Sequence, residues 1–384
     1  MDFTKLKDYI DNIDKNIIPS SRIIVKKGNK TLFEYFSARE DLYEEESKKE
    51  LYYLFSLSKV ITCTAAMRLY QRGLLDLEAP VSKYLPEFNE LYVGGDGDVC
   101  HNTADATTLP KAKNQLLIKH LFTMASGYSY DLGHPQILKM KEDYNDCATT
   151  RQVAGTLAKV PLRIEPGENF RYGLSHDILA AVCEVITGKT FYEFLKEEIF
   201  EPLNMKDTFF LPKENDFKRM HRQYNYFTEN NELKESVPPV CIFELSKKHL
   251  SGGAGIVSTL KDYSTFADCL ASGKSENGYV LLKEETLEKM ITPALCPAAQ
   301  DYFSNMFKPG YSYGLGVWTH VNPDISKVNT PIKEFGWDGA AGSLASLDKE
   351  SGISVVYMQH VLMCNSVKQI HNDIKSLAFE IANS

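Results

Sequence analysis

Ser56 and Lys59 are the residues of this chain whose types and spacing point most directly to chemistry. On a helix, positions three apart share one face. The Lys amine can then stand beside the Ser hydroxyl, as an activated serine nucleophile requires. A helix start adds a positive dipole end and free backbone N–H groups. Residues 54–75 supply such a helix, with Ser56-Leu57-Ser58-Lys59 leading into a mostly apolar run closed by Arg72-Gly73. Spacing alone is a weak signal, because Ser-x-x-Lys occurs three times, at Ser56/Lys59, Ser258/Lys261 and Ser346/Lys349. Ser258 reads as part of a helix cap, and Ser346 falls in a strand-to-turn segment. Only Ser56 opens a long apolar helix.

The elements that must position these groups follow from periodicity and punctuation. Residues 5–17 read as an amphipathic helix, and residues 22–25 and 31–37 as strands around the turn Gly28-Asn29. Residues 92–113 read as a long surface loop, rich in Gly, Asp and Thr. Helices are expected over residues 149–158, 175–187, 190–200, 262–271 and 284–290, with an irregular, charged stretch over 209–250. The last part is strand-like, over 313–319, 332–337, 343–347 and 353–359, with a hairpin turn at 348–352 and a closing helix at 366–382. Strands at both ends around a helical middle define an α+β class, with one sheet built from both chain ends. The expected division is a discontinuous sheet region, 1–60 with 245–384, and a mostly helical region, 61–244. The active site would lie between them.

Bulk properties narrow the partners. The chain has 384 residues and a net charge of −8, which argues against nucleic acid. No apolar run is long enough to span a bilayer, and no basic run suggests a membrane surface. Met1-Asp2-Phe3-Thr4-Lys5 carries no apolar signal core, so a cytoplasmic protein is expected from the sequence as it stands. The eight cysteines, Cys100 among them, form no Cys-x-x-Cys pair, and no His-Glu-x-x-His occurs. No metal or cofactor is expected.

Six segments, in order along the chain, resemble the serine β-lactamase and penicillin-binding-protein superfamily. They are Ser56-Leu57-Ser58-Lys59, Leu121-Phe122-Thr123-Met124-Ala125-Ser126-Gly127, Pro166-Gly167 through Phe170-Arg171-Tyr172, Pro202-Leu203-Asn204-Met205-Lys206-Asp207-Thr208, Gly253-Ala254-Gly255-Ile256-Val257-Ser258-Thr259, and Phe335-Gly336-Trp337-Asp338-Gly339-Ala340-Ala341-Gly342. The chain looks closest to the branch holding class C β-lactamases and β-lactamase-like carboxylesterases. The resemblance implies a β-lactamase/DD-peptidase-like fold and acyl transfer through Ser56. Lys59, Tyr172, or both as a pair would remove the Ser56 proton, and Tyr172 would protonate the leaving group. The N–H groups of Ser56 and Ala340 would form the oxyanion hole. Trp337, Gly339, Leu174 and Asp131 would line the substrate site, with Tyr130 close by.

Two departures bear on the substrate. The family's Tyr-x-Asn is here Tyr172-Gly173-Leu174, and Leu174 can bond neither the lysine nor a substrate amide. The family's Lys-Thr-Gly is here Trp337-Asp338-Gly339, so the usual cation for a substrate carboxylate is missing. A small ester or amide is therefore the expected substrate. A β-lactamase or D-amino-acid peptidase, an acyltransferase, and a penicillin-sensing module that acylates without turnover are the alternatives. Oligomeric state is not readable.

Overall fold

The computed structural model describes residues 1–97, 101–103 and 105–384; Cys100 lies outside them. The largest sheet has seven antiparallel strands, in the spatial order Lys30–Ala38, Ser20–Lys27, Ile353–Met358, Leu344–Asp348, Phe335–Asp338, Trp318–His320 and Tyr311–Tyr313. Both chain ends contribute, because Ile353–Met358 pairs with the N-terminal hairpin on one side and with Leu344–Asp348 on the other. These strands are rich in Val, Ile, Tyr and Phe, which suit a pleated surface packed on both sides.

Side-chain alternation assigns the two faces. Lys26 pairs with Ser354, and both meet Asp268 of the helix Leu260–Ser272, which therefore covers one face. Tyr357 points the other way, against His371 of the closing helix Val367–Asn383. Carrying the register across the sheet puts Leu344, Ser346, Gly336 and Asp338 on the closing-helix face. Trp337 is turned to the opposite face.

The middle of the chain is mainly helical. The helix Ser58–Gln71 is buried on nearly every side and packs on Ser175–Thr187. An all-round apolar sequence demands such a position. The Gly188 stop of Ser175–Thr187 takes φ 68°, a left-handed C-cap.

Several expected elements differ: the helix expected over 5–17 is Thr4–Asn12, and the strand expected over 332–337 is Phe335–Asp338. Residues 209–250 are not irregular throughout, since Gln223–Phe227 pairs with Glu232–Ser236 and, in parallel, with Val361–Leu362. Phe209–Phe210 joins Ile256–Thr259, which also pairs with Leu51–Tyr53. Their partners lie far away in sequence, so local patterning carries little sign of them. The run 313–319 is two strands, not one, because Gly314-Leu315-Gly316 turns the chain between Tyr311–Tyr313 and Trp318–His320. No helix of the described residues is long and apolar enough to cross a membrane.

Candidate active site

Ser56 sits in a 3₁₀ turn, Phe55–Leu57, that runs straight into the helix Ser58–Gln71. Phe55 has φ 47°, a left-handed conformation that costs a bulky residue about 1–3 kcal/mol and collects at functional sites. Phe55 is fully buried, so packing holds the turn. Neighbouring strands fix it further. Leu54 N–H donates to the Ile256 carbonyl at 2.9 Å, and Ile256 N–H donates to Ser58 Oγ at 3.2 Å.

Lys59, one turn along, is fully buried. Its Nζ donates to Ser56 Oγ at 3.3 Å, to the Tyr130 hydroxyl at 2.7 Å and to the Gly253 carbonyl at 2.7 Å. Three N–H bonds meet three acceptors, so the ammonium is saturated. Burial nevertheless pushes the amine down to about 8, with the nearby Asp177 carboxylate opposing the shift. Loss of one proton at mildly alkaline pH leaves a lone pair facing Ser56 and Tyr130. The Gly253 turn is clamped to the same helix face, since Thr62 Oγ1 donates to the Gly252 carbonyl at 2.7 Å.

Tyr172 stands on the other side of Ser56. Burial raises its phenol pKa, and hydrogen bonding from Ser56 and Trp337 pulls it part of the way back. The Trp337 indole N–H donates to the Tyr172 oxygen at 3.0 Å, and the two rings stack 5.6 Å apart. Lys59 Nζ lies 4.7 Å from the Tyr172 ring centroid, a cation–π contact. The Tyr130 and Tyr172 rings meet edge to face at 5.8 Å. Gly173 permits this approach, because a Cβ there would stand 2.3 Å from the Tyr128 carbonyl oxygen.

Gly339 has a similar constraint, as a Cβ there would stand 2.5 Å from the Leu54 carbonyl oxygen, two residues before Ser56. The next residue, Ala340, is half-buried, and neither its N–H nor that of Ser56 donates to an acceptor among the described residues. Asp338 faces the closing helix rather than Ser56, with His371 Nδ1 3.7 Å from its carboxylate. Burial would raise the Asp338 pKa, but His371 and Lys308 outweigh it and hold the group below its ordinary value.

The remaining expected residues have other partners. Leu174 is buried in the core at the head of Ser175–Thr187. Ser175 Oγ lies 2.6 Å from Ser126 Oγ, and His176 Nε2 lies 3.3 Å from Cys63 Sγ, so neither takes the missing asparagine's place beside Lys59. Burial and Lys59 push His176 down to about 3. Asp131 accepts from Arg163 at 2.9 Å and contacts His101 at 2.6 Å, and no hydrogen bond joins it to Ser56, Lys59 or Tyr172. Its carboxylate anchors the loop that carries Tyr130. Arg171 pairs with Asp96.

The other serines of interest are structural. Ser258 Oγ lies 2.7 Å from Thr208 Oγ1, and Ser346 is bonded to buried Glu334. From the sequence a Gly-x-Ser-x-Gly elbow is expected to be absent, which disfavours an α/β-hydrolase, yet Gly310-Tyr311-Ser312-Tyr313-Gly314 does spell that pattern. Ser312 lies within a buried strand and is bonded to Gln300, not at the strand-to-helix elbow that a nucleophile of that kind needs.

Sequence reasoning also passed over two groups around Lys59. Tyr130 was placed near the pocket without a role. Asp177 was not singled out, although it is buried, accepts from Ser251 Oγ at 2.6 Å and acts on Lys59 through space. A lone Asp in a helical run, five residues after Tyr172, was the available signal.

A model of the beta-lactamase family matches residues 7–369, so the chain belongs to the beta-lactamase family. Protein Rv1367c of Mycobacterium tuberculosis is 25% identical over 319 residues, covering 81% of this chain and 77% of that protein. Lovastatin esterase of Penicillium rubens is 32% identical over 166 residues, 42% of this chain and 40% of the esterase. Among solved structures, EstCE1, described as a hydrolase with promiscuous acyltransferase activity, superposes with a TM-score of 0.78 at 21% identity, covering 98% of this chain and 97% of EstCE1.

Proposed function

We propose that this protein is a serine hydrolase that cleaves a carboxylic ester or a small amide through an acyl-enzyme on Ser56. The observation that carries this reading is Lys59, fully buried and within 3.3 Å of Ser56 Oγ. Neutral Lys59 accepts the Ser56 proton directly or through Tyr130, and Ser56 Oγ attacks the carbonyl carbon. The Ser56 and Ala340 N–H groups, otherwise unpaired among the described residues, receive the oxyanion. Tyr172, steadied by Trp337, hands a proton to the leaving oxygen. Water, or another acyl acceptor of the kind an acyltransferase activity such as that described for EstCE1 requires, then resolves the acyl-enzyme. In this reading the site lies on the seam between the sheet region, 1–60 with 245–384, and the helical region, 61–244.

The test is a fluorophosphonate label mapped by mass spectrometry, with p-nitrophenyl butyrate turnover measured in parallel. Ser56 takes the label, Ser56→Ala abolishes turnover, and Ser258→Ala and Ser346→Ala do not. A label on any other serine overturns the assignment. A stoichiometric burst without steady-state release would make the protein an acylated sensor instead.

A further inference from the structure

Four aromatic rings stand in a row across the site, in the order Phe243, Tyr130, Tyr172, Phe307. The Phe243 and Tyr130 centroids are 4.7 Å apart, those of Tyr130 and Tyr172 5.8 Å, and those of Tyr172 and Phe307 5.6 Å. The inner pair are the phenols that face Ser56. The outer pair are half-buried phenylalanines, each with a face toward solvent. Phe243 also packs edge-on against Phe55, the residue before Ser56, at 6.1 Å. Phe307 also stacks on Trp337, at 5.9 Å and 15°.

Each outer ring has exposed apolar neighbours in sequence: Val240 and Ile242 near Phe243, 44% and 38% exposed, and Met306 and Tyr302 near Phe307, 72% and 38% exposed. Exposed side chains of this size next to a reactive centre mark a surface that an apolar group covers.

The direction of reaction assigns the two ends of the row, an assignment that rests on the proposed function. The leaving oxygen must reach the Tyr172 hydroxyl, and the outer flank of Tyr172 is closed by Phe307 and Trp337. The substituent on that oxygen therefore passes Phe307. The acyl chain, on the far side of the carbonyl carbon, runs over Tyr130 toward Phe55 and meets Phe243.

We propose that Phe243 and Phe307 are separate specificity residues, Phe243 for the acyl chain and Phe307 for the alcohol, and that the substrate is an ester with an apolar group of more than about four carbons on each side. Neither ring touches the reacting atoms, and each acts by covering the substituent that runs past it. Four extra methylenes buried along a ring alter kcat/KM by up to about two-hundredfold.

Two ester series test this on the full-length enzyme. In the first, p-nitrophenol is constant and the acyl group runs from acetate to octanoate. In the second, acetate is constant and the alcohol runs from ethanol to hexanol, followed by pH-stat. Wild type favours the longer member of both series. Phe243→Ala lowers the octanoate-to-acetate ratio of kcat/KM at least tenfold and leaves the hexyl-to-ethyl ratio within twofold. Phe307→Ala does the reverse. Phe243→Leu and Phe307→Leu, which keep bulk at each position, fall between wild type and alanine. A variant that moves both ratios together, or neither, overturns the assignment. Labelling of Ser56 by ethyl and octyl p-nitrophenyl phosphonates separates this outcome from failure of the hydrolase reading, because it needs no turnover. Faster octyl labelling that Phe243→Ala removes, in a protein that hydrolyses no ester, keeps the acyl-side assignment and overturns hydrolysis. Equal labelling by both overturns the acyl-side assignment.

Discussion

The Trp337 indole donates to the Tyr172 hydroxyl at 3.0 Å, which ties the segment 335–342 to the phenol beside Ser56. Trp337 is 1% exposed and cannot turn away without opening the core. Its N–H fills one acceptor site of the phenol oxygen. Trp337→Phe keeps the ring and removes the donor. A neutral hydrogen bond is worth roughly 0.5–1.5 kcal/mol net, so kcat on an unactivated ester falls by between about twofold and tenfold. An unchanged kcat would reduce Trp337 to a packing residue.

In the proposed mechanism Lys59 and Tyr172 act on the same proton path. Lys59→Ala and Tyr172→Phe each lower turnover on the order of a hundredfold or more, the scale of lost general acid–base catalysis. The double variant loses little beyond the worse single one. Steady-state rates of the three variants check this, with an alkyl ester included because an activated ester makes little demand on leaving-group protonation. Wild-type rates for Tyr172→Phe on the alkyl ester would return Tyr172 to the core.

The pH profile follows from the Lys59 surroundings. Burial lowers its amine from 10.5 to about 8, so below pH 8 the base is mostly protonated and idle. The kcat/KM curve therefore rises with pH and levels off above about 8. Asp177 favours the charged amine, so Asp177→Asn makes the proton easier to lose and moves the rising limb to lower pH. A limb that stays in place, measured with stopped-flow or pH-stat assays, would mean that another group titrates there.

Substrate choice follows from missing cations. A charge-assisted hydrogen bond to a penicillin carboxylate contributes roughly 1.5–3 kcal/mol, and Trp337 cannot supply one. Arg171 is paired with Asp96, and His176 is held neutral against Cys63. The Asp338 charge is directed to His371, so it does not dominate the approach to Ser56. Leu174 also leaves a penicillin amide without its partner, and with both losses neutral p-nitrophenyl esters are cleaved by a few powers of ten faster than nitrocefin or benzylpenicillin, compared as kcat/KM on one preparation. Penicillin turnover equal to ester turnover would require a cation besides Lys59 that the described residues do not place at Ser56.

Local signals made much of this fold legible. The expected helix over 175–187 is Ser175–Thr187, because an apolar run bounded by Gly188 has one reading. The hairpin around Gly28-Asn29 and the closing helix follow from equally local rules. The Gln223–Phe227 pairing with Val361–Leu362 is carried by chain more than a hundred residues away, and a window along the sequence does not contain it. The site divides in the same way. Ser56 and Lys59 are one helical turn apart and visible together. Tyr130 and Gly253 reach Lys59 from separate parts of the chain, and only the packed structure makes them neighbours.

The central place of Ile353–Met358 in the sheet governs when a working site can exist during synthesis. Ser56 and its helix leave the ribosome early, yet the Trp337 wall is some 280 residues further on. The strand that joins the N-terminal hairpin to the rest of the sheet is later still. Until that strand arrives, the edge formed by Ser20–Lys27 lacks its neighbour and is open to pairing with other chains. Contacts of such long range form slowly. The nascent chain therefore spends most of its translation with Ser56 made and its main sheet incomplete, and the open edge is the one that the last strand of that sheet protects.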